Sequence, residues 1–286
     1  MRNDVDSIIR DVLVFRLEQL EKASDRDVLV CYGPIVSGVD HAVREALEVI
    51  PTRNPSGKLL VVLNTPGGVV EVVERMVETI RFHYTDVAVL IPDQAMSAGT
   101  IFAMAADSIL MDHFSRLGPI DPQLARKDGT LIPALGYLLQ WERIKQLDRD
   151  GKLTAPELML AQKLDLAELH DFEQAAKLSV TLLKKWLTAY KFKDWTVTRT
   201  QKTPVTPKMK ADRAEEIAKA LQDVTRWHSH GRGISRETLE ADLNLIVDKV
   251  EDHPQLATPA SAYHDCLTDF LRKNSASNWV QTRSYV

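Results

Sequence analysis

Leu59-Leu60-Val61-Val62-Leu63-Asn64-Thr65-Pro66-Gly67-Gly68 is an apolar run that stops at a glycine turn. Val87-Ala88-Val89-Leu90-Ile91, followed by Ala95-Met96-Ser97-Ala98-Gly99, repeats the pattern one unit later. Each run is short, continuous and rich in β-branched residues, which predicts a buried strand. Each turn opens a segment with helical spacing. A helix N-terminus carries unpaired N–H groups with partial positive charge. Two such turns in neighbouring units aim those groups at one spot where an oxyanion can sit, with the Ser97 hydroxyl beside it. Taken singly, each turn is an ordinary strand-to-helix corner, and serine is a favoured N-cap for purely structural reasons. The pair is more specific than either turn, and acyl transfer is the economical reading.

Working outward, helices are expected at 6–23, 40–50, 69–84 and 98–106, and strands at 27–32, 58–63, 87–91 and 108–111. Alternating strands and helices predict an α/β fold with repeated βαβ units and a mainly parallel sheet covered on both faces. After Leu124 the pattern becomes mostly helical, with helices expected at 133–147, 154–164, 166–190 and 210–224 and another opening at Ser235. Thr203-Pro204-Val205-Thr206-Pro207 reads as a break, His228 to Gly233 as a loop, and the tail beyond Ser275 as polar and loosely held. Two regions follow: 1–125, the α/β core, and 126–286, a helical region that completes the site.

The chain has 286 residues, 44% hydrophobic and 27% charged, with a net charge of −4. That suits a globular protein and gives no electrostatic footprint for nucleic acid. Two distant cysteines, Cys31 and Cys266, make neither a disulfide framework nor a metal site; Cys31 lies in an apolar run and is expected in the core. The polar N-terminus does not read as a secretory signal, and no stretch reaches the length of a membrane-spanning helix. A cytoplasmic location is the default expectation.

Ala95-Met96-Ser97-Ala98-Gly99 lacks the first glycine of a Gly-x-Ser-x-Gly nucleophile elbow, which disfavours an α/β-hydrolase. The two turns instead resemble the Clp/crotonase superfamily. Within it they are most similar to the signal peptide peptidase A-like serine peptidases and their serine dehydrogenase proteinase branch. Ala105-Ala106-Asp107-Ser108-Ile109-Leu110-Met111-Asp112 and Leu117-Gly118-Pro119-Ile120-Asp121-Pro122-Gln123 extend the likeness, which is continuous over about residues 58–125. The resemblance implies a Clp/crotonase-like spiral core, a Ser97 nucleophile, and an oxyanion hole from the backbone N–H groups of Gly67, Gly68 and Ala98. It also implies a homo-oligomer.

A serine needs a base at neutral pH. Clp proteases place a histidine shortly after a Ser-Arg pair, but Ser115-Arg116-Leu117-Gly118-Pro119-Ile120-Asp121 holds none, and His113 precedes the pair. The signal peptide peptidase A type uses a lysine shortly before a Thr-x-x-Glu helix start, which Thr154-Ala155-Pro156-Glu157 resembles. Lys145, set among Trp141, Ile144 and Leu147, is therefore the expected base of a Ser–Lys dyad. Lys152 and His113 are the alternatives, and Lys127 and Lys177 stay open. His228 and His230 lack metal-ligand spacing and are expected to cap a helix or line a groove; Asp121 is expected in a turn, with orienting a catalytic group or contacting a neighbouring subunit as the alternatives. No metal and no organic cofactor is expected. The function expected is a serine peptidase acting on a peptide or protein. The competing readings are a crotonase-like acyl-CoA enzyme and a non-catalytic peptide-binding or assembly relative.

Overall fold

A computed structural model describes residues 5–50, 57–121, 123–125 and 131–286. Five parallel strands and one antiparallel edge strand form the main sheet, in the order β10-β1-β2-β3-β5-β9. They are β1 (Asp27–Tyr32), β2 (Lys58–Asn64), β3 (Asp86–Ile91), β5 (Ser108–Met111), β9 (Asp248–Lys249) and β10 (Trp279–Gln281).

The strands are apolar throughout because both faces are covered. Leu29, Cys31, Leu59, Val61, Leu63, Val87, Val89, Ile91, Ile109 and Met111 face one core. That side holds α2 (Val39–Glu48), α3 (Val70–His83), α4 (Ala98–Ala103), α7 (Leu166–Trp186), α8 (Pro207–Gln222), α9 (Val224–Trp227) and α10 (Arg236–Leu243). The alternate residues Val28, Val30, Leu60, Val62, Ala88, Leu90 and Leu110 face a second core with α1 (Val5–Ser24) and α11 (Pro254–Asn274). The period-2 alternation of a strand thus divides each run between two helical layers.

Each of the first four parallel strands is followed by a short extended stretch that leaves the main sheet. After β1 comes Ile35, bridged to Gly68; after β2 comes Thr65, bridged to Ala95. After β3 comes β4 (Gln94–Ala95), which pairs in parallel with β6 (Arg116–Leu117), the stretch after β5. Leu117 pairs on its other side, antiparallel, with Ile234. The repeat is therefore long strand, short strand, helix, and the short strands gather the turns at one end of the sheet.

The expected strands and the helices up to α4 stand within a few residues of where the sequence puts them, and Cys31 is buried. Three outcomes differ or add to the reading. The tail is not loosely held: β10 pairs antiparallel with β1, and Gln281 and Thr282 are buried. A helix over Pro254–Asn274 went unread, although Leu256, Ala260, Tyr263, Leu267 and Phe270 carry helical spacing. The helical half also returns two strands, β9 and β10, to the edges of the sheet.

A small hairpin, β7 (Gln123–Ala125) with β8 (Leu131–Pro133), leads into α5 (Ala134–Arg149) and α6 (Ala155–Ala161). Tyr137, Leu138 and Trp141 of α5 pack with Leu164, Leu169 and Phe172 into a satellite cluster outside both main cores.

Candidate active site

The two glycine turns are hydrogen-bonded to each other. Thr65 N–H donates to the Gln94 carbonyl (2.9 Å) and Met96 N–H to the Thr65 carbonyl (3.0 Å). A Cβ built on Gly67 would lie 2.9 Å from the Ser97 Cβ and 2.7 Å from the Met96 carbonyl oxygen. No side chain fits there, and φ of 103° at Gly67 adds a backbone reason for glycine. Ser97 stands half-buried at the start of α4 with φ 50° and ψ −115°, outside the usual regions for an L-residue. Strain of this kind persists only where the surroundings impose it, and here the buried α4 and the Thr65 bridge do so.

Of the three N–H groups expected to form an oxyanion hole, two remain. Gly67 N–H is taken by the Thr65 hydroxyl at 3.0 Å, so it leaves the set. Gly68 is different. Ile35 N–H donates to the Gly67 carbonyl and Val69 N–H to the Ile35 carbonyl, both at 2.8 Å. In extended chain, successive residues turn their peptide groups to opposite edges, so Gly68 presents its N–H away from Ile35. Gly68 is also exposed. Ala98 opens α4, where an N–H has no partner within the helix. No hydrogen bond among the described residues takes either N–H.

β6 and the segment after it hold a second constellation. The parallel register Gln94↔Arg116 and Ala95↔Leu117 sets Met96 beside Gly118, where a built Cβ would lie 3.2 Å from the Met96 Cα. Thr100 fastens this layer: its hydroxyl donates to the Ala95 carbonyl (2.7 Å) and accepts from Gly118 N–H (2.9 Å). On the other side, Leu117 and Ile234 exchange backbone bonds of 3.0 and 2.7 Å. Asp121, four residues after Leu117, meets His230, four residues before Ile234. Their Oδ1 and Nδ1 atoms are 2.8 Å apart. The Asp121 side chain is 2% exposed and that of His230 19%. A buried carboxylate needs such a partner, and the contact leaves Nε2 of the imidazole uncommitted to Asp121.

Most of the bases expected from the sequence have partners of their own. Lys145, on α5, pairs with Glu142 and lies 6.0 Å from the Trp141 ring centroid. Lys152 is exposed in the turn after α5. His113 is 83% exposed, with its ring 3.7 Å from Glu251. Lys177 pairs with Glu173 on the surface, and Lys127 lies outside the described residues. Among the described hydrogen bonds, none joins these residues to Ser97. The Asp121–His230 pair was missed as a pair because 109 residues separate its members. No group of three or more potential metal-binding side chains occurs among the described residues.

A spiral of long strand, short strand and helix, with its glycine turns gathered over a strained serine, defines a ClpP-like α/β protein. The chain belongs to the ClpP-like SDH-type serine proteinase family, whose profile matches residues 38–193, just over half of its length. It is 38% identical over 242 residues to the uncharacterized protein MJ1495 of Methanocaldococcus jannaschii, covering 82% of this chain and 70% of that one. It is 36% identical over 84 residues to MJ0137 of the same organism, covering 29% of this chain and 28% of the relative. Among solved structures, it is similar to a serine-to-alanine mutant of the 1510-N membrane-bound stomatin-specific protease (13% identity, 81% of each chain, TM-score 0.46). A lysine-to-alanine mutant of that protease in complex with a substrate peptide matches 42% of this chain and 56% of its own (24% identity, TM-score 0.32). No helix among the described residues is long and apolar enough to cross a membrane.

Proposed function

We propose that this protein hydrolyses peptide bonds with Ser97 as nucleophile, His230 as general base and Asp121 as the group that orients the imidazole. The observation that carries this reading is the buried Asp121–His230 hydrogen bond, on the segment that follows β6, the strand paired with β4 just before Ser97. In this scheme Ser97 Oγ attacks the peptide carbonyl carbon while Nε2 of His230 takes the hydroxyl proton. The Gly68 and Ala98 N–H groups receive the oxyanion that forms. The imidazolium, stabilised by Asp121, returns the proton to the leaving amine, and water then releases the acyl group by the same route.

The lysine dyad expected from the sequence is the rival assignment. A lysine base must shed its proton, which burial or a neighbouring cation promotes, whereas Lys145 is partly exposed and faces a carboxylate.

A fluorophosphonate probe separates the two. Mass spectrometry of the probe-treated protein is expected to find the adduct on Ser97, and Ser97→Ala to abolish it. His230→Gln and Asp121→Asn are expected to slow labelling by about a hundredfold or more, and Lys145→Ala to leave it within about twofold. Labelling that survives His230→Gln but vanishes in Lys145→Ala would return the base to the lysine.

A further inference from the structure

The Gly68 N–H is aimed by Ile35, and Ile35 is itself held by the C-terminal segment. Between β1 and Ile35 the chain runs through Gly33 and Pro34. Gly33 N–H donates to the Asn64 carbonyl at the end of β2 (2.9 Å). The other side of Gly33 is closed by the tail: a built Cβ would lie 1.9 Å from the Ser277 carbonyl oxygen and 2.5 Å from Asn278 Oδ1. With its amide turned so that nitrogen faces these carbonyls, Asn278 also donates to the Pro34 carbonyl at 3.3 Å. β10 anchors the tail through the pairs Tyr32↔Trp279, Cys31↔Val280 and Val30↔Gln281.

The next layer is as close. A Cβ on Gly68 would fall 2.0 Å from the Ile35 carbonyl oxygen, and Ile35 is buried. The order of contact is therefore β10, Ser277-Asn278, Gly33-Pro34, Ile35, then Gly67 to Val69. Every step is backbone against backbone or against a short side chain. Packed interiors give little under such contacts and transmit displacement.

We infer that Ser277 and Asn278 are positioning residues for the oxyanion hole: through Gly33 and Ile35 they set where the Gly68 N–H points. The inference rests on the peptidase reading for its catalytic consequence, and on the backbone contacts alone for its structural one.

The test compares Gly33→Ala and Asn278→Ala with Gly38→Ala. Gly38 lies in the same loop with the same kind of backbone (φ 98°), but a methyl group there meets nothing within 4 Å. Two quantities are measured on the full chain: the second-order rate of fluorophosphonate labelling, and hydrogen exchange of the Val69 amide that bonds Ile35. Gly33→Ala is expected to slow labelling by tenfold or more and to speed that exchange, with Asn278→Ala smaller in the same direction. Gly38→Ala should leave both within about twofold. Unchanged exchange in both Gly33→Ala and Asn278→Ala, each folded, would overturn the inference, as would an equal effect of Gly38→Ala. Should wild-type Ser97 resist the probe, the peptidase reading fails, and the exchange measurement still decides whether the tail positions the turn.

Discussion

Gly67 has no side chain because the Cβ of Ser97 stands where one would go, and Gly68 has none because the Ile35 carbonyl does. Residues this tightly placed explain why single atoms govern the site. Asp107 shows the same economy at the opposite end of the sheet. Burial works against its carboxylate, but Lys193, the Val87 N–H and Arg81 outweigh that and hold its pKa below the ordinary value of 3.8. A depressed carboxylate contributes stability that is complete above its unfolded pKa and is lost as the pH falls through the folded one. Melting temperatures recorded from about pH 5 down to pH 2 should therefore fall steeply below pH 4 in the wild type. In Asp107→Asn the profile should start lower and be flatter over that window. A parallel profile would show that Asp107 is not the group responsible. At this scale the sequence was informative about Ser97 and the glycines, which sit within a few residues of their cause. It singled out Asp121 and His230 separately but not as a pair, since their partnership depends on the fold that bridges Leu117 to Ile234.

Among the elements, α4 is the piece whose fit is tightest. All six of its residues are buried, and its glycine faces Thr65: a Cβ on Gly99 would lie 2.4 Å from Thr65 Cγ2. Thr65 also supplies both backbone bonds of the bridge to β4, so neither side can retreat. Gly99→Ala is expected to cost about 1–3 kcal/mol by overpacking and to lower the labelling rate at Ser97. Differential scanning calorimetry reads the first, and a wild-type melting temperature would refute it. The elements themselves divide by how much of their cause is local. The strands of the main sheet were legible because burial on both faces makes them continuous apolar runs. β10 was not: it has three residues, and Gln281 reads as polar although its side-chain oxygen accepts from Tyr263 Oη (2.5 Å) and Trp279 Nε1 (2.9 Å). Of those partners Trp279 is on β10 itself, but Tyr263 lies on α11, which the strand's own sequence does not show.

For the whole molecule, the two ends of the described chain are joined. α1 packs on α11, and Arg283 pairs with Glu21 (3.1 Å) and lies 3.7 Å from Asp27, a buried residue that also accepts from Tyr84 Oη. β10 lies beside β1, so the strand that begins the sheet waits for the one that closes it. This has a consequence in time. Ser277 is made 180 residues after Ser97. At ordinary translation rates that delay is on the order of 10 to 40 s. Throughout it the serine, both glycine turns and α4 are already outside or leaving the ribosome, while the segment that aims the Gly68 N–H does not yet exist. On the peptidase reading proposed above, the site is therefore completed only when the last residues of the described chain have been made. Ribosome-stalled chains ending at residue 275, carried clear of the exit tunnel on a linker, are expected to resist the fluorophosphonate, and those extended through residue 286 on the same linker to accept it. Equal labelling of the two would show that the serine is competent from the moment it emerges.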